Sequence, residues 1–178
     1  MAKPKKTLDP TTIFLIAEQN HHASQHLAKA KSIGFEHDVT FPAVVISALS
    51  LEIYFKCLLV IETGTAPQTH DLRYLFNRLN PATQQKIRAN YMPFMLEAQR
   101  VISESAIASG VAPPNVDFDF VLNLSRNAFN ITRYIYEGIP AMSGWVANGI
   151  VFATRQAILE KHPLWQHMIV DPKVKVTN

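Results

Sequence analysis

Apolar side chains run almost unbroken from Phe41 to Ile61, and elsewhere they recur at intervals of three and four. That period is helical, and the alternation expected of strands is scarce. Upstream, Ile13, Ile16, Ala17, Ala23, Leu27 and Ala30 share one side of a predicted helix from Asp9 or Pro10 to Lys31. Glu18, His22, His26 and Lys29 fall on its other side. Gly34 to Thr40 reads as a loop. Thr40 suits the cap of the apolar helix, and Pro42 is tolerated in its first turn, where its missing N–H would be unpaired anyway. Gly64 stands where a left-handed helix stop belongs. Being apolar around most of its circumference, this second helix is expected to be the most buried element.

Punctuation residues divide the rest. Thr69 is placed to cap a helix opening with His70 and Asp71, and Asp71 suits the positive end of that helix. Asn80-Pro81 starts another helix, which Pro93 is expected to break or kink near Tyr91. Its second half, Phe94 to Ile107, runs on to Gly110, and Ser109 to Val116 is a loop. A strongly amphipathic helix is predicted from Asp117 to Glu137, with Val121, Leu124, Ala128, Ile131 and Ile135 on its apolar face. A last helix spans about Ser143 to Lys161, weakened by Gly144 and Gly149 and stopped by His162-Pro163. The pattern is all-α. Residues 1–8 read as a disordered basic arm, 9–170 as one domain and 171–178 as a loose tail.

Composition narrows this further. The 178 residues fit one domain, and a hydrophobic share of 48% is enough for a real core. A net charge of +3 suits an anionic partner but lacks the dense basic stripe of a duplex-DNA binder. The single cysteine, Cys57, excludes a disulfide framework and points to a reducing cytosol. The N-terminus lacks the apolar core of a secretory signal, so a cytoplasmic location is expected. Phe41–Ile61 is long enough to suggest a membrane span. However, Glu52 and Lys56 lie within it, and a mid-bilayer charge costs roughly 2.5–3.5 kcal/mol. A buried central helix explains the same pattern, so no membrane is expected.

Four groups of residues carry candidate chemistry. On the Asp117–Glu137 helix, Asp119, Asn123, Arg126, Asn130, Arg133 and Glu137 recur at threes and fours, opposite the apolar face, with Asn127 and Tyr134 at the edge. Two guanidiniums on one face can hold a phosphate with forked hydrogen bonds, and Tyr134 can stack on a base. The same stripe also reads as a solvated face with intrahelical pairs such as Arg133 with Glu137. Next, Glu52 and Lys56 form an i,i+4 pair in the favourable order, which reads either as a simple ion pair or as a lysine beside a bound anion. His70 is an acid, base or anion contact, or else a helix-end histidine bonded to the backbone. Finally, Glu18, His22 and His26 have chelating spacing but read as a solvated face, so no metal is assigned. No phosphate loop, dinucleotide fingerprint, nucleophile elbow or paired-cysteine motif occurs, and no cofactor is assigned.

The run Ala48-Leu49-x-Leu51-Glu52-x-x-x-Lys56-x-Leu58-Leu59, then Gly64 and His70-Asp71-Leu72, resembles the first conserved block of HEPN domains. The run Arg126-Asn127-Ala128-Phe129-x-x-x-Arg133-Tyr134-x-Tyr136-Glu137 resembles their C-terminal block. The resemblance implies a four-to-five-helix up-and-down bundle and a homodimer whose motif helices face one cleft. It also implies either a metal-independent ribonuclease of the toxin–antitoxin or defence type, or a non-catalytic module binding RNA, a nucleotide or a protein partner. Carried over residue by residue, Arg126 and Asn127 match the first two positions of the catalytic motif, and His70, outside that motif, is the candidate to substitute for its histidine. Arg133, Tyr134, Asn130 and Lys56 contact RNA or an anion, and Glu52, Asp71 and Glu137 form a polar framework. The family's motif histidine is absent, since Ile131, Thr132 and Arg133 fill the three positions open to it. Histidine is suited to proton transfer near neutral pH and arginine is not, so binding is expected over efficient cleavage.

Overall fold

Two helices that meet through their polar groups set the frame. Pro10 O accepts from the Cys57 thiol at 3.3 Å, and the Tyr54 hydroxyl donates to Glu18 Oε1. As one helix advances the other recedes, so they are antiparallel. A computed structural model describes residues 8–32, 40–110, 112–113, 115–127 and 147–168. Among these lie six α-helices: α1 (Pro10–Ser32), α2 (Thr40–Thr63), α3 (Leu72–Arg78), α4 (Pro81–Ser109), α5 (Phe118–Leu124) and α6 (Ala147–Lys161). A 3-10 helix, Pro163–Met168, follows α6, and no strand occurs among the described residues.

The protein is all-α, and its four long helices alternate in direction. Ser47 bonds Asn148 and Glu62 meets Lys161, so α2 and α6 run parallel. Asn90 reaches Ala153 while Lys86 pairs with Glu160, so α4 and α6 run antiparallel. The helix number exceeds four to five because α3 and α5 are separate seven-residue helices.

The buried centre is α2, as its composition requires. Leu51, Tyr54, Phe55, Cys57, Leu58, Leu59 and Val60 are buried with Phe14, Leu75, Phe76, Ile87, Leu122, Ile150 and Ile158. Its stretch Pro42–Thr63 is long and apolar enough to cross a membrane, yet that stretch is 61% buried within the fold. Helices α1, α3 and α6 pack against it. Burial also fixes Cys57, whose thiol pKa is pushed up to about 12 by desolvation, with Asp9 adding to it.

Local rules set several helix ends. Gly64 and Gly110 adopt φ of 73° and 68°, a left-handed geometry that favours glycine. Asn80 caps α4 by accepting from Thr83 N, with Pro81 at the first position. Asp71, not Thr69, caps α3, because its carboxylate accepts from Tyr74 N at 2.9 Å; Thr69 accepts instead from Asp71 N.

Packing corrects several expectations. Helix α4 is not broken at Pro93 and runs through it to Ser109. Tyr91 is anchored on Val116 O and Ile87 is buried, so packing on α4 outweighs the single N–H that proline removes. The helix expected from Asp117 ends at Leu124 and passes into a turn at Ser125–Asn127. Ser125 favours such an end because serine competes with helical backbone bonding. On α5 the buried face is Phe118, Val121 and Leu122, whereas Leu124 is exposed. On α1 the buried stripe is Phe14, Ala17, Glu18, His21 and Ser24, so Glu18 faces the core and Ile16 faces out.

The arm at 1–7, the loop at 34–39, the residues from 128 to 146 and the tail at 171–178 lie outside the described residues.

Candidate functional site

Glu52 is the anchor of the site. It projects from the middle of α2 and is 3% exposed. Lys56, one turn later, donates to its Oε1 at 2.7 Å. His70 Nδ1 lies 3.1 Å from Oε1 and 3.0 Å from Oε2. An isolated carboxylate here would be costly, and two donors offset that cost. The glycine stop at Gly64 and the loop that follows return the chain so that His70 reaches back across 18 positions.

The next residue extends the cluster to the far end of the chain. Asp71 Oδ1 caps α3, while Oδ2 accepts from Arg126 Nε and Nη2, each at 2.7 Å. The main chain reinforces this pair, because Leu72 N donates to Arg126 O at 3.0 Å. The turn after α5 is thus fastened to the start of α3. Partial burial pushes the Asp71 carboxyl up, but the Arg126 hydrogen bond and the Tyr74 N–H outweigh it and hold it below the usual carboxylate range. The hydrogen bond to Asp71 likewise raises the Arg126 pKa.

Six of the ten residues named from the sequence therefore meet or adjoin: Glu52, Lys56, His70, Asp71, Arg126 and Asn127. Lys56 is mostly covered, while the His70 and Arg126 side chains are more than half exposed. Asn127, also exposed, follows Arg126 in the turn. The other four, Asn130, Arg133, Tyr134 and Glu137, lie outside the described residues. Arg126 belongs to a turn, so helical phase does not align it with Asp119. Asp119 instead takes two other arginines: Arg73 Nη1 at 2.6 Å, and Arg88 Nη1 and Nη2 at 2.6 and 2.9 Å. The Arg88 guanidinium also covers the Phe118 and Phe76 rings. Its hydrogen bond is the main cause that lowers the Asp119 pKa.

A second polar centre escapes the apolar periodicity. Glu18, 2% exposed, accepts from Tyr54 and from both arms of Arg155, at 2.8 and 3.0 Å. His21, 4% exposed, packs edge-on against Phe152 with its Nδ1 unpartnered. The one signal for it in the sequence is that Glu18 and His21 share a helical face with Phe14 and Ala17. Glu18 is thus occupied by an arginine and a phenol rather than poised for a cation, and His22 Nε2 lies 3.8 Å from it. Among the described residues no three His, Cys, Asp or Glu side chains are grouped to hold a metal.

No family model, curated protein or solved structure matches the chain. The fold and the site define the class: an all-α helical protein with a mixed-charge cluster at the junction of α2, α3 and α5.

Proposed function

We propose that the protein is an HEPN-like binding module for RNA or nucleotide phosphate, cytoplasmic and homodimeric, with Lys56, His70 and Arg126 as the anion-facing groups. One observation carries this reading. Residues drawn from both blocks that resemble the family pair side by side: Glu52 with Lys56 and His70, and the next residue, Asp71, with Arg126. Arginine offers a planar fork of donors suited to phosphate, and lysine a point charge. The carboxylates of Glu52 and Asp71 hold these groups in place. Without the motif histidine, the reading favours a degenerate ribonuclease that binds, over one that cuts efficiently.

The test is titration with a single-stranded RNA oligonucleotide across a salt series. Affinity should fall steeply with salt through counterion release, and Arg126→Ala should weaken it. A flat salt response overturns the reading.

A second reading is a protein-interaction module of the antitoxin or accessory type. It is favoured by the exposed apolar side chains Met92, Phe94, Leu96, Val101 and Ile107 on α4. Recovery of one defined protein partner after nuclease treatment, with no salt-dependent RNA binding, would support it instead.

A further inference from the structure

Most arginines of this fold are committed to a carboxylate. Of the six among the described residues, Arg73 and Arg88 hold Asp119, Arg100 joins Glu97 and Glu104, Arg126 holds Asp71, and Arg155 forks onto Glu18. Arg78, in the last turn of α3, is the exception: its side chain has no hydrogen bond or ion pair among the described residues. It is exposed, and it lines an open recess of about 200 Å³ with Leu59, Thr63, Thr65, Ala66 and Pro67. A guanidinium so placed keeps its five donors for a ligand and breaks no internal pair to use them.

Tyr74 is the matching exception among the described tyrosines. Tyr54 and Tyr91 are buried, with their hydroxyls on Glu18 and Val116 O. Tyr74 is 45% exposed, and its ring meets no other aromatic ring among the described residues. These two exceptions share a face. Asp71, Tyr74 and Arg78 are three and four positions apart, so α3 sets them on one side, while Leu72, Leu75 and Phe76 take the buried side. Asp71 carries Arg126. Along α3 the order is therefore guanidinium, phenol ring, guanidinium, over roughly 10 Å of helix. Proteins that hold unpaired strands combine positive groups along the backbone with rings on which bases stack.

We infer that this face of α3 is a track for an unpaired RNA strand, with one phosphate at Arg126, a base stacked on Tyr74 and a second phosphate at Arg78. The inference rests on the phosphate-binding reading above and narrows it, from RNA or a nucleotide to a strand with at least two phosphate groups along its backbone. A base inside a duplex has both faces covered by its neighbours and cannot lie on the ring. A nucleoside monophosphate engages one guanidinium and leaves the other empty.

Binding of a short single-stranded RNA to the full chain, measured across a salt series, tests the track. Tyr74→Ala should weaken binding about 5- to 150-fold, the worth of one stacked base, with the salt slope unchanged. Tyr74→Phe keeps the ring and should bind as the wild type does. Arg78→Ala should reduce the slope by about 0.7, one phosphate on a single strand, and Arg78→Lys should keep it. A second arm leaves the protein untouched and places an abasic site at each position of the strand in turn. Removal of the stacked base should weaken binding to the wild type but not to Tyr74→Ala, a coupling that a ring with a purely structural role would not show. A duplex of the same sequence should bind less tightly than the single strand. Wild-type affinity in Tyr74→Ala, or abasic losses that persist in that variant, overturns the stacked base. An unchanged slope in Arg78→Ala overturns the second phosphate. In either case, a steep wild-type slope with binding weakened by Arg126→Ala leaves the phosphate reading standing. If the wild type shows no salt-dependent binding, the phosphate reading and the track fall together.

Discussion

Arg155 of α6 forks onto Glu18 of α1 across 137 positions of sequence, Nε to Oε1 at 2.8 Å and Nη2 to Oε2 at 3.0 Å. With the Tyr54 hydroxyl on the same carboxylate, this contact ties α1, α2 and α6 together. Breaking a buried pair leaves a charge without its partner, and that costs more than the pair contributes. Arg155→Ala should therefore lower stability by roughly 3 kcal/mol, read as a shift in the urea midpoint. The double variant Arg155→Met with Glu18→Gln should be milder than Arg155→Ala, because no lone carboxylate is left. Equal losses in both would show that packing, not charge, holds the joint.

His21 gives the same region a pH dependence. Burial is the main cause that lowers its pKa, to about 4, with Glu18 opposing and Arg155 and His22 adding. The folded state thus keeps the imidazole neutral, while an unfolded histidine takes a proton near pH 6.5. The unfolded chain then binds more protons between those values, so stability falls as pH drops from about 6.5 to 4. The loss is on the order of 3 kcal/mol. Asp71 and Asp119, held below the usual carboxylate range, lose their contribution at lower pH still. Urea midpoints at pH 7 and 4.5 should separate strongly for the wild type and much less for His21→Leu. Parallel slopes for the two proteins would remove His21 as the cause.

These two groups show where the sequence is readable. The glycine stops at Gly64 and Gly110 and the Asn80 cap depend on neighbours within a few residues, and each is visible in a short window. The same holds for Glu52 with Lys56, one helical turn apart. Periodicity puts Glu18 on the wrong face because its partners lie 36 and 137 positions away, and an apolar pattern cannot register a buried polar group that is paired across helices. In the candidate site, the bonds are not legible in the sequence: His70 meets Glu52 across 18 positions, and Arg126 meets Asp71 across 55. A stripe drawn through Asp119 and Arg126 assumes unbroken helical phase, and the turn at Ser125 removes that assumption.

Gly149 reads in the sequence as a weak point of the last helix, but in the fold it is where α6 meets α4. A Cβ there would stand 2.7 Å from Phe94 Cδ1 and 2.8 Å from Tyr91 Cε2. Phe94 is partly exposed and can give way, whereas Tyr91 is buried and anchored on Val116 O. Gly149→Ala should gain up to about 1 kcal/mol of helix propensity and lose about 1–3 kcal/mol to overpacking. The net effect is a less stable protein with α4 and α6 prised apart. A melting temperature at or above the wild-type value would show that the Tyr91 ring moves at little cost.

Asp71 carries two duties that substitutions can separate. Its Oδ1 accepts from Tyr74 N, and its Oδ2 holds Arg126. Asp71→Asn keeps an oxygen for the cap and loses the charge pairing. Because Arg126 is more than half exposed, that change should cost under about 0.5 kcal/mol of stability. Asp71→Ala also removes the cap and should cost about 1 kcal/mol more. RNA binding should respond the other way. Either change deletes one negative charge beside Arg126, so affinity at low salt should rise. The salt slope should steepen by about 0.7 for each further phosphate that the freed guanidinium neutralises on a single strand. Tighter binding by Asp71→Asn at near-wild-type stability would identify Asp71 as an internal competitor for the guanidinium. Weaker binding by the same variant would mean that Asp71 aims Arg126 at the ligand instead.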